Sequence, residues 1–140
     1  MSEEDYKYEA FFYENSKGEC PIGEYIEKLA SKNDKDSRIK LNKIYDHINY
    51  LRREGLQAKK PYAEHLSGEI WELKPIRDRI LYAEWNEKSY ILLHLFMKAT
   101  RKTPKREIEQ AKRNLSDYRE RSEENENDES DENQENQQTI

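Results

Sequence analysis

Three short runs rich in Ile, Leu, Tyr and Trp follow one another between residues 69 and 96: Glu69 to Lys74, Arg79 to Trp85 and Ser89 to Phe96. No other feature narrows the fold as much. Runs of this length and composition read as strands. The last two are separated only by Asn86-Glu87-Lys88, a hairpin-length turn, so they pair antiparallel. Ahead of them Tyr6 to Tyr13 is aromatic-rich and close to alternating, which suits a further strand that ends at the turn Asn15-Ser16-Lys17-Gly18.

Between the first strand and the three-run block the period is helical. Pro21 opens a short helix through Lys32, with Ile22, Tyr25, Ile26 and Leu29 on one face. A second helix follows Asp36-Ser37, carries Leu41, Ile44, Ile48 and Leu51 as its stripe, and ends at Gly55. The stretch around Pro61 and Ser67-Gly68 reads as a loop. Thr103-Pro104 then reads as an N-cap with Pro in the first turn, leading a helix with Ile108, Ala111, Leu115 and Tyr118 on one side. The order is βααβββα. It predicts an α+β domain with a small, mostly antiparallel sheet, an N-terminal helical hairpin on one face and a C-terminal helix, the other face staying partly open.

Composition divides the chain. Residues 1–37 hold 5 basic and 10 acidic side chains, residues 38–121 hold 20 and 12, and residues 122–140 hold none and 8, so the net charge of -5 averages unlike parts. The last segment is Glu, Asp, Asn, Gln and Ser with almost nothing apolar, and it is expected to stay disordered beside a domain spanning 1–121. It reads as a solubilising terminus or as an electrostatic mimic of nucleic acid. No run approaches the roughly 20 apolar residues of a membrane span, and the acidic start Met1-Ser2-Glu3-Glu4-Asp5 is unlike a signal peptide, which together predict a cytoplasmic protein without a membrane partner. A lone Cys20 excludes an internal disulfide. There is no Gly-rich phosphate loop, no Ser-His-Asp arrangement and no carboxylate cluster suited to a metal. If the chain is catalytic, it is expected to work with Arg, Lys, His or Tyr and no cofactor.

The basic groups concentrate in two places. Lys98-Ala99-Thr100-Arg101-Lys102-Thr103-Pro104-Lys105-Arg106 carries no acid and sits between a strand and a helix start, where free N–H groups add to the side-chain charge. It reads either as a phosphate-holding site or as a solvated helix start. Arg77 and Arg79, at i, i+2, are expected on one face of the strand start, with an anion between them or with Glu72 or Glu84 pairing one of them. His94 lies in an apolar strand and reads first as a hydrogen-bonded packing residue, second as an acid or base. His47 and His65 have no partner at catalytic spacing.

Four linked motifs then carry a resemblance. Leu66-Ser67-Gly68-Glu69-Ile70-Trp71-Glu72-Leu73-Lys74, Arg77-Asp78-Arg79-Ile80-Leu81-Tyr82, Leu92-Leu93-His94-Leu95-Phe96-Met97-Lys98, and Lys102-Thr103-Pro104-Lys105-Arg106-Glu107-Ile108 through Ala111 stand in the order found in one group of proteins. They resemble the phage-related, HigB-like branch of the RelE/ParE toxin superfamily. The resemblance implies the RelE-like fold and a type II toxin that acts as a ribosome-dependent endoribonuclease on mRNA, without cofactor or metal. It also implies a helix-turn-helix antitoxin beside the ribosome and mRNA as partners. In that chemistry the ribose 2′-OH attacks the adjacent phosphate, so Arg79 with Arg77 would grip the scissile phosphate and Lys98 would stabilise charge or move a proton, with His94 as a further acid or base. Lys74, Arg101, Lys102, Lys105 and Arg106 would bind flanking RNA or ribosomal phosphates. Two departures stand out. The family's Glu-Leu-Arg is Glu72-Leu73-Lys74, and its Lys-Lys after the Phe is Lys98-Ala99, so activity here is weakened or borrows Arg101 or Lys102. A ParE-like gyrase inhibitor of the same fold and a noncatalytic nucleic-acid-binding co-repressor are the competing readings.

Overall fold

The computed structural model describes residues 6–138, with side chains as far as residue 126. The acidic start, Met1 to Asp5, and residues 139–140 at the end of the acidic segment lie outside the described residues. The elements are β1 (Glu9–Phe12), α1 (Pro21–Ala30), α2 (Lys35–Glu54), a 3-10 turn (Gly55–Gln57), β2 (Ala63–Ser67), β3 (Ile70–Leu73), β4 (Asp78–Asn86), β5 (Ser89–Met97) and α3 (Lys105–Gln138). They make an α+β fold around one five-stranded sheet of order β1-β5-β4-β3-β2. All neighbours are antiparallel except β1 on β5, which is parallel, so the sheet is mixed.

Two points of the expected order change. The loop before Gly68 contains an additional strand, β2, pairing antiparallel with β3, so the order is βααββββα. The second concerns the face expected to stay open. α1 and α2 bury Ile22, Ile26, Leu29, Ile44, Ile48 and Leu51 against Leu73, Ile80, Tyr82 and Leu92. α3 lays Ala111 and Leu115 on the opposite face, over Ile70, Leu81, Ala83, Ile91 and Leu93. The cause is in β4 and β5, whose consecutive residues Ile80-Leu81-Tyr82-Ala83 and Ile91-Leu92-Leu93 are all buried; a strand apolar at both parities needs cover on both sides.

Local chemistry sets the boundaries. α2 starts one turn earlier than expected because Asp34, not Asp36 or Ser37, is its N-cap, accepting from the Ser37 amide at 2.8 Å. It stops at Gly55, whose φ of 55° suits glycine, and a Cβ there would stand 2.3 Å from Tyr8 Cε2. α3 begins after Pro104, whose carbonyl accepts from Glu107 N at 3.0 Å. Thr103 does not cap it, because its hydroxyl is turned to Glu72. The β4–β5 register slips between Leu81 and Tyr82, and the carbonyl of Leu93 at that slip accepts from Asn114 Nδ2 of α3 at 2.9 Å. Beyond Arg121, which donates to the Glu14 carbonyl, helical backbone continues to Gln138 through the acidic stretch for which composition predicts no fixed structure. Glu and Gln are ordinary helix formers, so local propensity favours that continuation.

Candidate functional site

The start of β4 divides two charged residues between the two faces of the sheet. Ile76 has φ 57°, so the chain enters the strand through a kink and becomes extended only at Asp78. Asp78, 1% exposed, turns to the helical hairpin: the Tyr25 hydroxyl donates to it at 3.1 Å, and Lys40 Nζ lies 3.8 Å away. Arg79 turns to the α3 face, opposite Phe96 in the register.

Arg79 is 9% exposed, which is rare for an arginine. Its Nη1 donates to the carbonyls of Ile76 and Asp78, both at 2.8 Å. Its Nε is 3.9 Å from Glu72 Oε1, within ion-pair range but beyond a hydrogen bond, and is buried with no hydrogen-bond partner among the described residues. Glu72, itself 3% exposed, accepts from the Thr103 hydroxyl. Strand β3, strand β4 and the segment leading into α3 are therefore tied together around one guanidinium whose hydrogen bonding is incomplete. Groups left so are uncommon in folded proteins.

Around it the pattern of cations is uneven. Lys98 N donates to the Arg77 carbonyl at 2.8 Å, so these two residues extend the β4–β5 ladder side by side. Among the described residues, Arg77, Lys98, Arg101 and Lys102 have no carboxylate at ion-pair distance, while Lys105 lies 4.0 Å from Glu109 and Arg106 3.5 Å from Glu107. Arg77 follows the kink at Ile76 and stands one residue ahead of β4, two residues before Arg79. Arg77 is exposed and close enough to Lys40 of α2 to oppose its protonation, although the bond of Lys40 to the Tyr25 hydroxyl dominates and raises its pKa. Lys74 is tied to Glu64, whose carboxyl is held below its usual value by Lys74 first and Lys60 second.

His94 pairs with Glu107, Nε2 to Oε2 at 2.5 Å, and stacks on Phe96 with centroids 5.9 Å apart. The ring is half-buried with a carboxylate from α3 as partner, an arrangement open to both the packing role and the acid or base role. Glu107 also stands in the first turn of α3, where it offsets part of the dipole's positive end. The structure thus gathers Arg79, His94 and Lys98 at one end of the sheet, with Arg77 beside Lys98 in the ladder and Arg101 and Lys102 on the loop that follows, and leaves Lys74 to Glu64. Thr103 and Glu107 were not picked out in the sequence as partners. Glu107 lies within a motif already noted, and Glu72 is a carboxylate between Trp71 and Leu73, a place where an acid needs a partner.

Among the described residues, no helix is long and apolar enough to cross a membrane, and no three His, Cys, Asp or Glu side chains come together as a metal site would require. No curated protein matches the chain. Residues 27–116, from within α1 to within α3 and including the whole sheet except β1, match the model described as phage derived protein Gp49-like (DUF891). With that match over well more than half its length, the chain belongs to the phage-derived Gp49-like family, RelE-like toxins of type II toxin–antitoxin pairs, and an antitoxin is the partner this implies.

Proposed function

We propose that the protein is a HigB-like toxin of the RNA-cleaving kind: a cytoplasmic, metal-independent endoribonuclease that cuts mRNA on the translating ribosome and so stops growth. The observation that carries this reading is Arg79. A guanidinium fixed by two backbone carbonyls, with a buried N–H unfilled, is positioned before any substrate arrives. A phosphate at the exposed edge of this guanidinium meets a cation already held in place. As the 2′-OH attacks, negative charge grows on the phosphoryl oxygens, and Arg79 with Lys98 faces that charge. The 2′-OH gives its proton to solvent water as it bonds to phosphorus, and the P–O5′ bond breaks to leave a 2′,3′-cyclic phosphate. Lys98, which has no carboxylate partner among the described residues, donates the proton that the leaving 5′-oxygen takes up. Arg101, Lys102, Lys105 and Arg106 then hold flanking phosphates, and the free cations Arg101 and Lys102 stand in for the lysine replaced by Ala99.

His94 orients Phe96 and α3 through Glu107 and takes no proton from RNA. The cleaving unit is residues 1–121, with residues 122–140 as an acidic appendage, and the antitoxin is a helix-turn-helix protein. The test is Arg79→Ala expressed in cells with and without the antitoxin. Growth inhibition disappears while circular dichroism and antitoxin binding are kept. A fully toxic Arg79→Ala refutes the assignment, and inhibition of gyrase supercoiling with mRNA left intact assigns the protein to the ParE-like kind instead.

A further inference from the structure

On the helical-hairpin face, away from the Arg79 end, the sheet and the end of α2 enclose a cleft of about 130 Å³. Its walls are Leu56, Trp71, Tyr82 and Tyr90, and its carboxylates are Glu69 and Glu84. Glu84 has no ion-pair partner among the described residues, whereas Glu69 is engaged by Arg119. The rings of Tyr82 and Tyr90 are buried, 2% and 4% exposed, and their hydroxyls, which have no hydrogen-bond partner among the described residues, are not buried atoms. Two phenol oxygens, a carboxylate unpaired among the described residues and an indole around a small half-open space offer a set of acceptors and π-faces. Leu56, 66% exposed, makes an apolar lip.

We propose that this cleft receives the guanidinium of an arginine presented by a protein partner. A planar cation stacks on Trp71, gains ring-face attraction there, and donates to Glu84 and the tyrosine oxygens. The charge selects this occupant over a nucleotide: the cleft's carboxylates repel phosphate, and the cations that attract RNA lie at the other end. Glu84 stands five residues beyond Arg79 in β4, roughly 17 Å along the strand, and the cleft opens on the opposite face of the sheet. A partner seated here leaves the Arg79 end uncovered. The inference does not depend on RNA cleavage.

The probe is N-acetylarginine amide, with N-acetylcitrulline amide as its uncharged isostere. They are titrated into the full chain carrying Trp85→Phe, so that emission reports Trp71. Saturable change with the arginine derivative, at least tenfold weaker binding of the citrulline derivative, and loss of that preference in Glu84→Gln are expected. Glu84→Asp, which keeps the charge, retains the preference and separates recognition from damage to the fold. Equal binding of the two amides, no saturation by the arginine derivative, or tighter binding of adenosine overturns the proposal. Growth inhibition in the Trp85→Phe background tests the toxin reading separately.

Discussion

Replacing Glu72 by leucine removes the counter-charge of Arg79 without emptying the space between β3, β4 and the approach to α3. The side chains are 4% and 11% exposed and 3.9 Å apart. At an effective dielectric constant of about 20, their attraction is about 4 kcal/mol. Part of the loss is returned, because the leucine carries no charge to desolvate and the Ile76 and Asp78 carbonyls still hold the guanidinium. We therefore expect Glu72→Leu to destabilise the fold by about 3 kcal/mol, in the range found when one partner of a buried pair is removed. With a urea dependence of about 1.5 kcal/mol per molar for a domain of this size, the midpoint falls by about 2 M, read from tryptophan emission. Glu72→Leu combined with Arg79→Met discards the pair entirely and returns stability to within about 1 kcal/mol of wild type, since an apolar replacement carries no buried charge. That double variant is folded and inactive, which separates a pair kept for function from one kept for stability. A single variant losing less than about 1 kcal/mol, or a double variant as unstable as the single, refutes the reasoning.

Leu115, 4% exposed beneath α3, tests whether the second face of the sheet is a true core: Leu115→Ala costs about 3 kcal/mol and lowers the thermal midpoint by about 10 °C. Alkaline pH acts through buried tyrosines. Burial and the bond to Asp117 push the Tyr13 hydroxyl up to about 12, and burial does the same to Tyr90. Both favour the protonated folded form, so their contribution is complete below about pH 10 and is lost as pH rises from there toward 12. Tyr13→Phe makes the fall in urea stability across that window shallower. In the cleavage reaction Lys98→Ala lowers the rate about a hundredfold, whereas His94→Gln stays within about tenfold, which single-turnover measurements on the same mRNA distinguish.

Much of this fold could be read in residue order, and the exceptions have definite causes. The stripes of α1, α2 and α3 were legible because their apolar residues recur at helical spacing; of those named, Ile22, Ile26, Leu29, Ile44, Ile48, Leu51, Ala111 and Leu115 are buried. β2 was not legible, because Ala63-Glu64-His65-Leu66-Ser67 is an edge strand with only Ala63 buried. The cover on both faces was implicit in the unbroken apolar residues of β4 and β5. The parallel pairing of β1 with β5 depends on two segments about 80 residues apart, and nothing local to either encodes it. For the site, strand logic offered Glu72 or Glu84 as a partner for one of the two arginines, and Arg79 stands 3.9 Å from Glu72. Thr103 was assigned to a helix cap when a buried carboxylate thirty-one residues away held its hydroxyl instead.

The central claim is that a fixed Arg79 beside Lys98 cuts mRNA, and translation of a defined mRNA on purified ribosomes tests it most directly. Wild-type protein should produce new 5′ ends clustered within the translated frame, and Arg79→Ala, shown to be folded, should produce none. Uncut mRNA with the wild-type protein, or the same ends with Arg79→Ala, would contradict the account.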